Sequence, residues 1–356
     1  MKSKIKIFLG LILILIVASG CTIGVKTKVQ PVNDGGVYTS GDRGETWAHA
    51  TAIYRVTDPS RTFSNIDVIE MINDPTDSKA FYLTTHEQGI FYTYDGGIGW
   101  QQTLTGKGRI NAVAISPKDS CTIYAAIANK VYKSNDCNRH WEYKLIETQA
   151  DPNNQITALA VDYDNDSIVY AGTSGKGLFR SDDAGNSWHV VKFFNDRIVK
   201  ILIKPQNSAV IYLVTQAKGI FKTSNKGQDW QEVFNDDLKG KYKNLLAYRD
   251  LILDPTAADG LLYACGYGIF RSADGGQSWQ EIKLLTPPNS KTIYALAVNP
   301  KDGKELYYTV DTVLYRSVDA GVNWITKNLP STRIPEFLIV DREQPGKLYL
   351  GVRKLK

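Results

Sequence analysis

SADGGQSW, residues 272–279, is one of seven stretches that follow a Ser/Thr-x-Asp-x-Gly-x-x-Trp pattern. The others are SGDRGETW (40–47), TYDGGIGW (93–100), SNDCNRHW (134–141), SDDAGNSW (181–188), TSNKGQDW (223–230) and SVDAGVNW (317–324). Every tryptophan of the chain closes one of them: Trp47, Trp100, Trp141, Trp188, Trp230, Trp279 and Trp324. Successive tryptophans lie 53, 41, 47, 42, 49 and 45 residues apart, the length of one four-stranded propeller blade. The pattern is turn chemistry. The side-chain oxygen of Asp42, Asp95, Asp136, Asp183, Asn225, Asp274 or Asp319 can accept bonds from backbone N–H groups inside the turn. The glycine supplies a positive φ, and Asn138, which replaces it once, is the best non-glycine substitute. The tryptophan opens the next strand and offers a large area to bury between blades. These acids are therefore expected to be turn locks rather than catalytic groups.

Two further recurrences complete the blade. A short strand such as Gly177-Leu178-Phe179 or Gly268-Ile269-Phe270 precedes each box, and before it comes a strand with a tyrosine: Tyr82, Tyr124, Tyr170, Tyr212, Tyr263, Tyr307 and Tyr349. The innermost strand is almost wholly apolar, as in ITALAVDY (156–163) and IYALAVNP (293–300), because neighbouring blades cover both of its faces. The order per blade is thus A, B, C, box, D. The repeat region begins at a strand C, GGVYTS (35–40), and stops after a strand A, PEFLIVD (335–341), and a strand B, KLYLG (347–351). Joining these half-blades removes two open edges. The expected fold is all-β, a seven-bladed propeller over residues 35–356, closed by a composite blade.

Residues 1–20 read as a signal peptide, with Lys2, Lys4 and Lys6 before an apolar run, Ile7 to Val17, too short to span a bilayer. Val17-Ala18-Ser19-Gly20-Cys21 resembles a bacterial lipobox, so Cys21 is expected to carry acyl chains and residues 21–34 to form the anchor and tether. That places the protein outside the cytoplasm, held to a bacterial membrane. The formal charge of +5 falls to +2 without the three signal-peptide lysines, and no basic run suggests a nucleic-acid partner. A monomer is expected.

Cys121 opens strand B of the third blade and Cys137 lies in its box, so the two are placed to pair in an oxidising compartment. Cys265 reads as a small core residue. The four histidines have no metal-ligand spacing, and no cofactor motif occurs. One charged cluster stands out. Arg109, Arg197 and Arg333 precede inner strands and Arg249 lies just inside one. Glu70, Lys200, Asp250 and Glu336 fall at nearby inner-strand positions that are small (Ala112, Ala158, Ala295) in other copies. Either these charges pair around a watery channel, or its mouth binds a carboxylate-bearing or acidic partner. The insertion with Lys239, Lys241 and Lys243 adds a basic rim. A lysine or arginine directly before several boxes, Lys133 and Arg180 among them, reads as support rather than a site.

The seven boxes resemble the Asp-box (bacterial neuraminidase) repeats of sialidases, sortilin-type receptors, xyloglucanases and the photosystem II stability/assembly factor family. With Leu262-Tyr263-Ala264-Cys265-Gly266 and GIFRSADGGQSW (268–279), the chain looks most like the last of these. That resemblance implies a non-catalytic scaffold or assembly factor for a membrane or envelope complex, with a protein partner and an arginine-rich surface. Arg333-Ile334-Pro335 looks like the Arg-Ile-Pro motif of sialidases, though here it follows the last box. A glycan-binding or sialidase-like glycoside hydrolase is the alternative.

Overall fold

The computed structural model describes residues 33–54, 61–146, 154–175 and 177–355, so the signal peptide and Cys21 lie outside the described residues. Seven antiparallel sheets of four strands form a seven-bladed β-propeller. The composite blade, blade one, is closed as the half-blades require. Its strand C (Gly36–Ser40) and strand D (Ala48–His49) come from the start of the chain; its strand A (Ile334–Val340) and strand B (Leu348–Arg353) come from the end. Strand C pairs with strand B from Gly36↔Val352 to Ser40↔Leu348. Inner strands of adjacent blades pack together, and seven separate hydrophobic clusters fill the gaps between blades.

The box turns are built as their chemistry demands. In the fourth blade Ser181 Oγ donates to Asp183 Oδ1 (2.8 Å) and accepts from Gly185 N–H (2.7 Å). Asp183 Oδ1 also accepts from Ser187 N–H at 2.8 Å. Every copy repeats this pair of bonds, Asn225 included. Positive φ is needed at two successive positions, not one: Arg43, Cys137, Ala184, Lys226 and Ala320 share the left-handed region with the residue that follows each.

Burial differs from expectation at the tryptophans. Trp100 and Trp279 are buried, but Trp47, Trp141, Trp188, Trp230 and Trp324 are only half-buried because they open the outermost strand. The strand B tyrosines, at most 1% exposed, are the deeper wedges. Tyr124, Tyr170, Tyr212 and Tyr349 each donate from Oη to the backbone carbonyl of Ala184, Lys226, Gly275 and Gly96, the left-handed residue in the next blade's box, at 3.0–3.2 Å. Lys133, Arg180, Lys222 and Lys347 lie over the rings of these tyrosines. Three depart from the series: Tyr82 lies against Tyr94 Oη, Tyr307 donates to Glu305 Oε1, and Tyr263 is displaced along its strand. It pairs with Leu251, one register position later than Tyr212 with Leu202, and its hydroxyl donates to Leu245 O.

Cys121 and Cys137 are paired as a disulfide, and Cys137 N–H donates to Cys121 O at 3.2 Å. Cys265 is a free, buried thiol whose titration is pushed upward by burial.

Candidate functional site

Strands A of blades two to six, including Val68–Asn73, Ile156–Val161, Ile198–Ile203 and Tyr248–Leu253, line a central channel holding a cavity of about 260 Å³. Its wall is mostly small or apolar, with Asn73, Thr157 and Tyr163 as neutral polar groups and Glu70 and Lys200 as the charged ones. Lys200 Nζ bonds Asp250 Oδ1 at 2.7 Å between neighbouring blades. Burial works against the charge on Lys200, but Asp250 holds its ammonium well above the ordinary value. Glu70 faces them from blade two, and enclosure drives its carboxyl upward, against the pull of Lys200. Its side chain is nevertheless exposed on the channel wall.

The charged set predicted from sequence does not form one ring, because strand A of blade one is offset by one residue relative to a bulge that six blades share. Strand A of six blades carries an extra residue: Ile69, Thr157, Val199, Arg249, Tyr294 and Glu336 each lie between two paired positions. Glu70, Ala158, Lys200, Asp250 and Ala295 are register equivalents, but in blade one that position is Phe337, whose ring lies against Gly351. Glu336 belongs to the bulge level with Arg249, and it pairs with Arg353. Burial raises the Glu336 carboxyl, with Arg353 and Arg109 opposing.

Arg333 is not a free contact. Only 5% of its side chain is exposed, with Nε bonded to Asp34 Oδ1 (3.0 Å) and Nη1 to Asp67 Oδ1 (2.9 Å). Asp34 also accepts from Thr332 N–H and Oγ1 and, through its backbone carbonyl, from Ser331 Oγ. This latch ties the two chain ends that share blade one. Burial raises the Asp34 carboxyl, but the bonds from Thr332 and Arg333 leave it below its usual value.

Arg109, Arg197 and Arg249 remain, all exposed at the mouth where strands A begin, with no carboxylate within salt-bridge distance among the described residues. Asp196, beside Arg197, spends its carboxylate on the N–H groups of Arg197, Ala217 and Lys218. The insertion forms a short helix, Asp236–Lys241, in which Lys239 pairs with Glu232. Among the described residues no cluster of His, Cys, Asp or Glu is placed to hold a metal ion.

The comparisons with known proteins bear on the fold. A family model described as Sortilin, neurotensin receptor 3, matches residues 176–266. No curated protein matches the chain in sequence. Among solved structures, the GH74 enzyme of Niastella koreensis superposes with a TM-score of 0.64 at 17% identity, over 81% of this chain and 51% of that one. YCF48 from Cyanidioschyzon merolae superposes at 0.61 and 12% identity, over 81% of this chain and 96% of that one. The extracellular domain of a putative one component system from B. thetaiotaomicron does so at 0.60 and 16% identity, over 85% of this chain and 38% of that one. The chain thus spans about half the length of the GH74 enzymes it resembles. At these identities the likeness is one of fold: a single β-propeller.

Proposed function

We propose that this is a non-catalytic, extracytoplasmic scaffold, anchored through lipidated Cys21, that binds a protein partner of an envelope or membrane complex. The observation that carries the reading is the channel mouth. Lys200, Asp250, Arg333 and Glu336 are spent on ion-pair partners, whereas Arg109, Arg197 and Arg249 lie exposed around it with no ion-pair partner among the described residues. Unpaired guanidinium groups converging on one opening suit carboxylates, which they bind in bidentate fashion. The fold is compatible with such a role: one structural neighbour is YCF48 bound to a D1 peptide, superposing at a TM-score of 0.59 and 16% identity. We expect Arg197→Glu with Arg249→Glu to leave melting unchanged and to abolish co-purification of a protein from native membranes. An unchanged set of captured proteins would sink the reading. The hydrolase alternative is favoured by the GH74 neighbours and by the carboxylates of Glu70 and Glu336. Turnover of a fluorogenic sialoside or glucan that is lost in Glu70→Gln or Glu336→Gln would establish it instead.

A further inference from the structure

We infer that the face carrying the channel mouth is also the membrane-facing side of the propeller, and that its outer rim docks on anionic phospholipid headgroups. This rests on the reading of Cys21 as the anchor. Two observations point to it independently. The first is where the chain enters. Asp34 is latched to Arg333 at the mouth end of blade one, so the described chain begins at that face, with residues 22–32 joining it to Cys21 in the sequence. Fully extended, that segment reaches at most about 40 Å. The second is how charge is distributed. The loops on this face present exposed Lys218, Lys241 and Lys243, and the end of the chain adds Lys354 beside Leu355, which is 72% exposed. The opposite face carries the box carboxylates, Asp42, Asp95, Asp183, Asp274 and Asp319, held by hydroxyls and backbone N–H groups of their own turns. The mouth face thus presents a rim of lysines where the described chain begins, although Asp236 and Asp237 share the insertion, and the opposite face presents a ring of carboxylates. An anionic surface attracts the first and repels the second, and a lipid chain joined to a basic patch is a stable two-part anchor.

The rim is separable from the mouth. Lys218 lies in a B–C loop, Lys243 in the insertion and Lys354 after strand B, whereas Arg197 and Arg249 sit at or in inner strands. The full-length lipidated protein, reconstituted in phosphatidylcholine vesicles with or without phosphatidylglycerol, would be followed by hydrogen exchange. With phosphatidylglycerol, the segments around Lys218, Lys243 and Leu355 should gain protection while the box turns exchange as before. Lys218→Glu with Lys243→Glu and Lys354→Glu should remove that gain by about five-fold per lysine, without altering melting. Equal exchange in both vesicles, or protection of the box turns, would overturn the inference. Because the rim variant keeps Arg109, Arg197 and Arg249, its pull-down from native membranes tests the protein-binding reading separately.

Discussion

At the scale of single residues, the box and the tyrosine divide the labour between blades. The box is a local device: its acid, hydroxyl and glycine lie within five residues, so its design could be read from the sequence. The tyrosine is a long-range one. Tyr170 Oη reaches a carbonyl 56 residues later, and a backbone acceptor leaves no mark in the sequence. The tryptophan was read as the wedge because of its size, but its place on the outermost strand leaves Trp188 half in solvent. We therefore expect Tyr170→Phe to cost about 1 kcal/mol for the lost hydrogen bond and Tyr170→Ala about 3–5 kcal/mol. Trp188→Ala should cost less than Tyr170→Ala. Urea denaturation ranks the three, and a larger loss at Trp188 would contradict the assignment.

The box acids also set an acid limit. Side-chain bonds from Thr46, Ser187 and Ser278 hold Asp42, Asp183 and Asp274 down to about 2. A carboxyl depressed in the folded state adds stability above its unfolded value near 3.9, and that stability is lost as pH falls toward the folded value. Glu336, raised by burial, acts in the opposite sense, weakening the fold slightly as it ionises. Melting temperature should thus hold from neutral pH to about 4 and fall between about 4 and 2. Thr46→Ala with Ser187→Ala and Ser278→Ala should lower melting at neutral pH and make that fall shallower, because the folded carboxyls then titrate closer to their unfolded value. A decline that begins well above pH 5 would point to other groups.

At the scale of elements, the strand A bulge is what sequence reading missed. An added residue in a run that is apolar on both faces disturbs no alternation, so nothing marks it. Strand A of blade one also starts one residue earlier, Ile334 pairing with Arg353, so Glu336 falls on the bulge and Phe337 takes the place of Lys200; a similar one-residue shift hides Tyr263 among the other tyrosines. The latch was half legible: the two half-blades announced that the ends meet, but Arg333 was read as a binding residue because its partners, Asp34 and Asp67, lie about 300 and 270 residues away. Arg333→Met should cost about 3 kcal/mol by leaving two carboxylates without their cation. Limited proteolysis should then release the amino-terminal segment first. The disulfide acts within blade three, closing a loop with a sequence separation of 16. Its reduction should lower stability by about 3 kcal/mol, seen as a drop in the denaturation midpoint with dithiothreitol that Cys121→Ser reproduces.

At the scale of the whole molecule, stability depends on the ring being closed, and closure depends on a sheet whose strands come from opposite ends of the chain. Blade one contributes no more sheet than its neighbours, yet it alone packs between the second and seventh blades and converts an open arc into a closed ring. Two variants separate connectivity from closure. Ending the chain after Asn328 removes Ile334–Val340 and Leu348–Arg353, exposing Gly36–Ser40 and the flank of the seventh blade. That chain should aggregate or melt without a cooperative transition. A circular permutant that joins Lys356 to Asn33 through a short flexible linker and opens the exposed loop at Pro288–Asn289 keeps all four strands of blade one. Exposed loops tolerate new ends, so it should retain a single cooperative transition and the same circular dichroism. It should also make the Arg333 latch less important, since the linker now supplies the join that Asp34 provides. If the permutant unfolds as readily as the truncation, chain order rather than closure holds the propeller together.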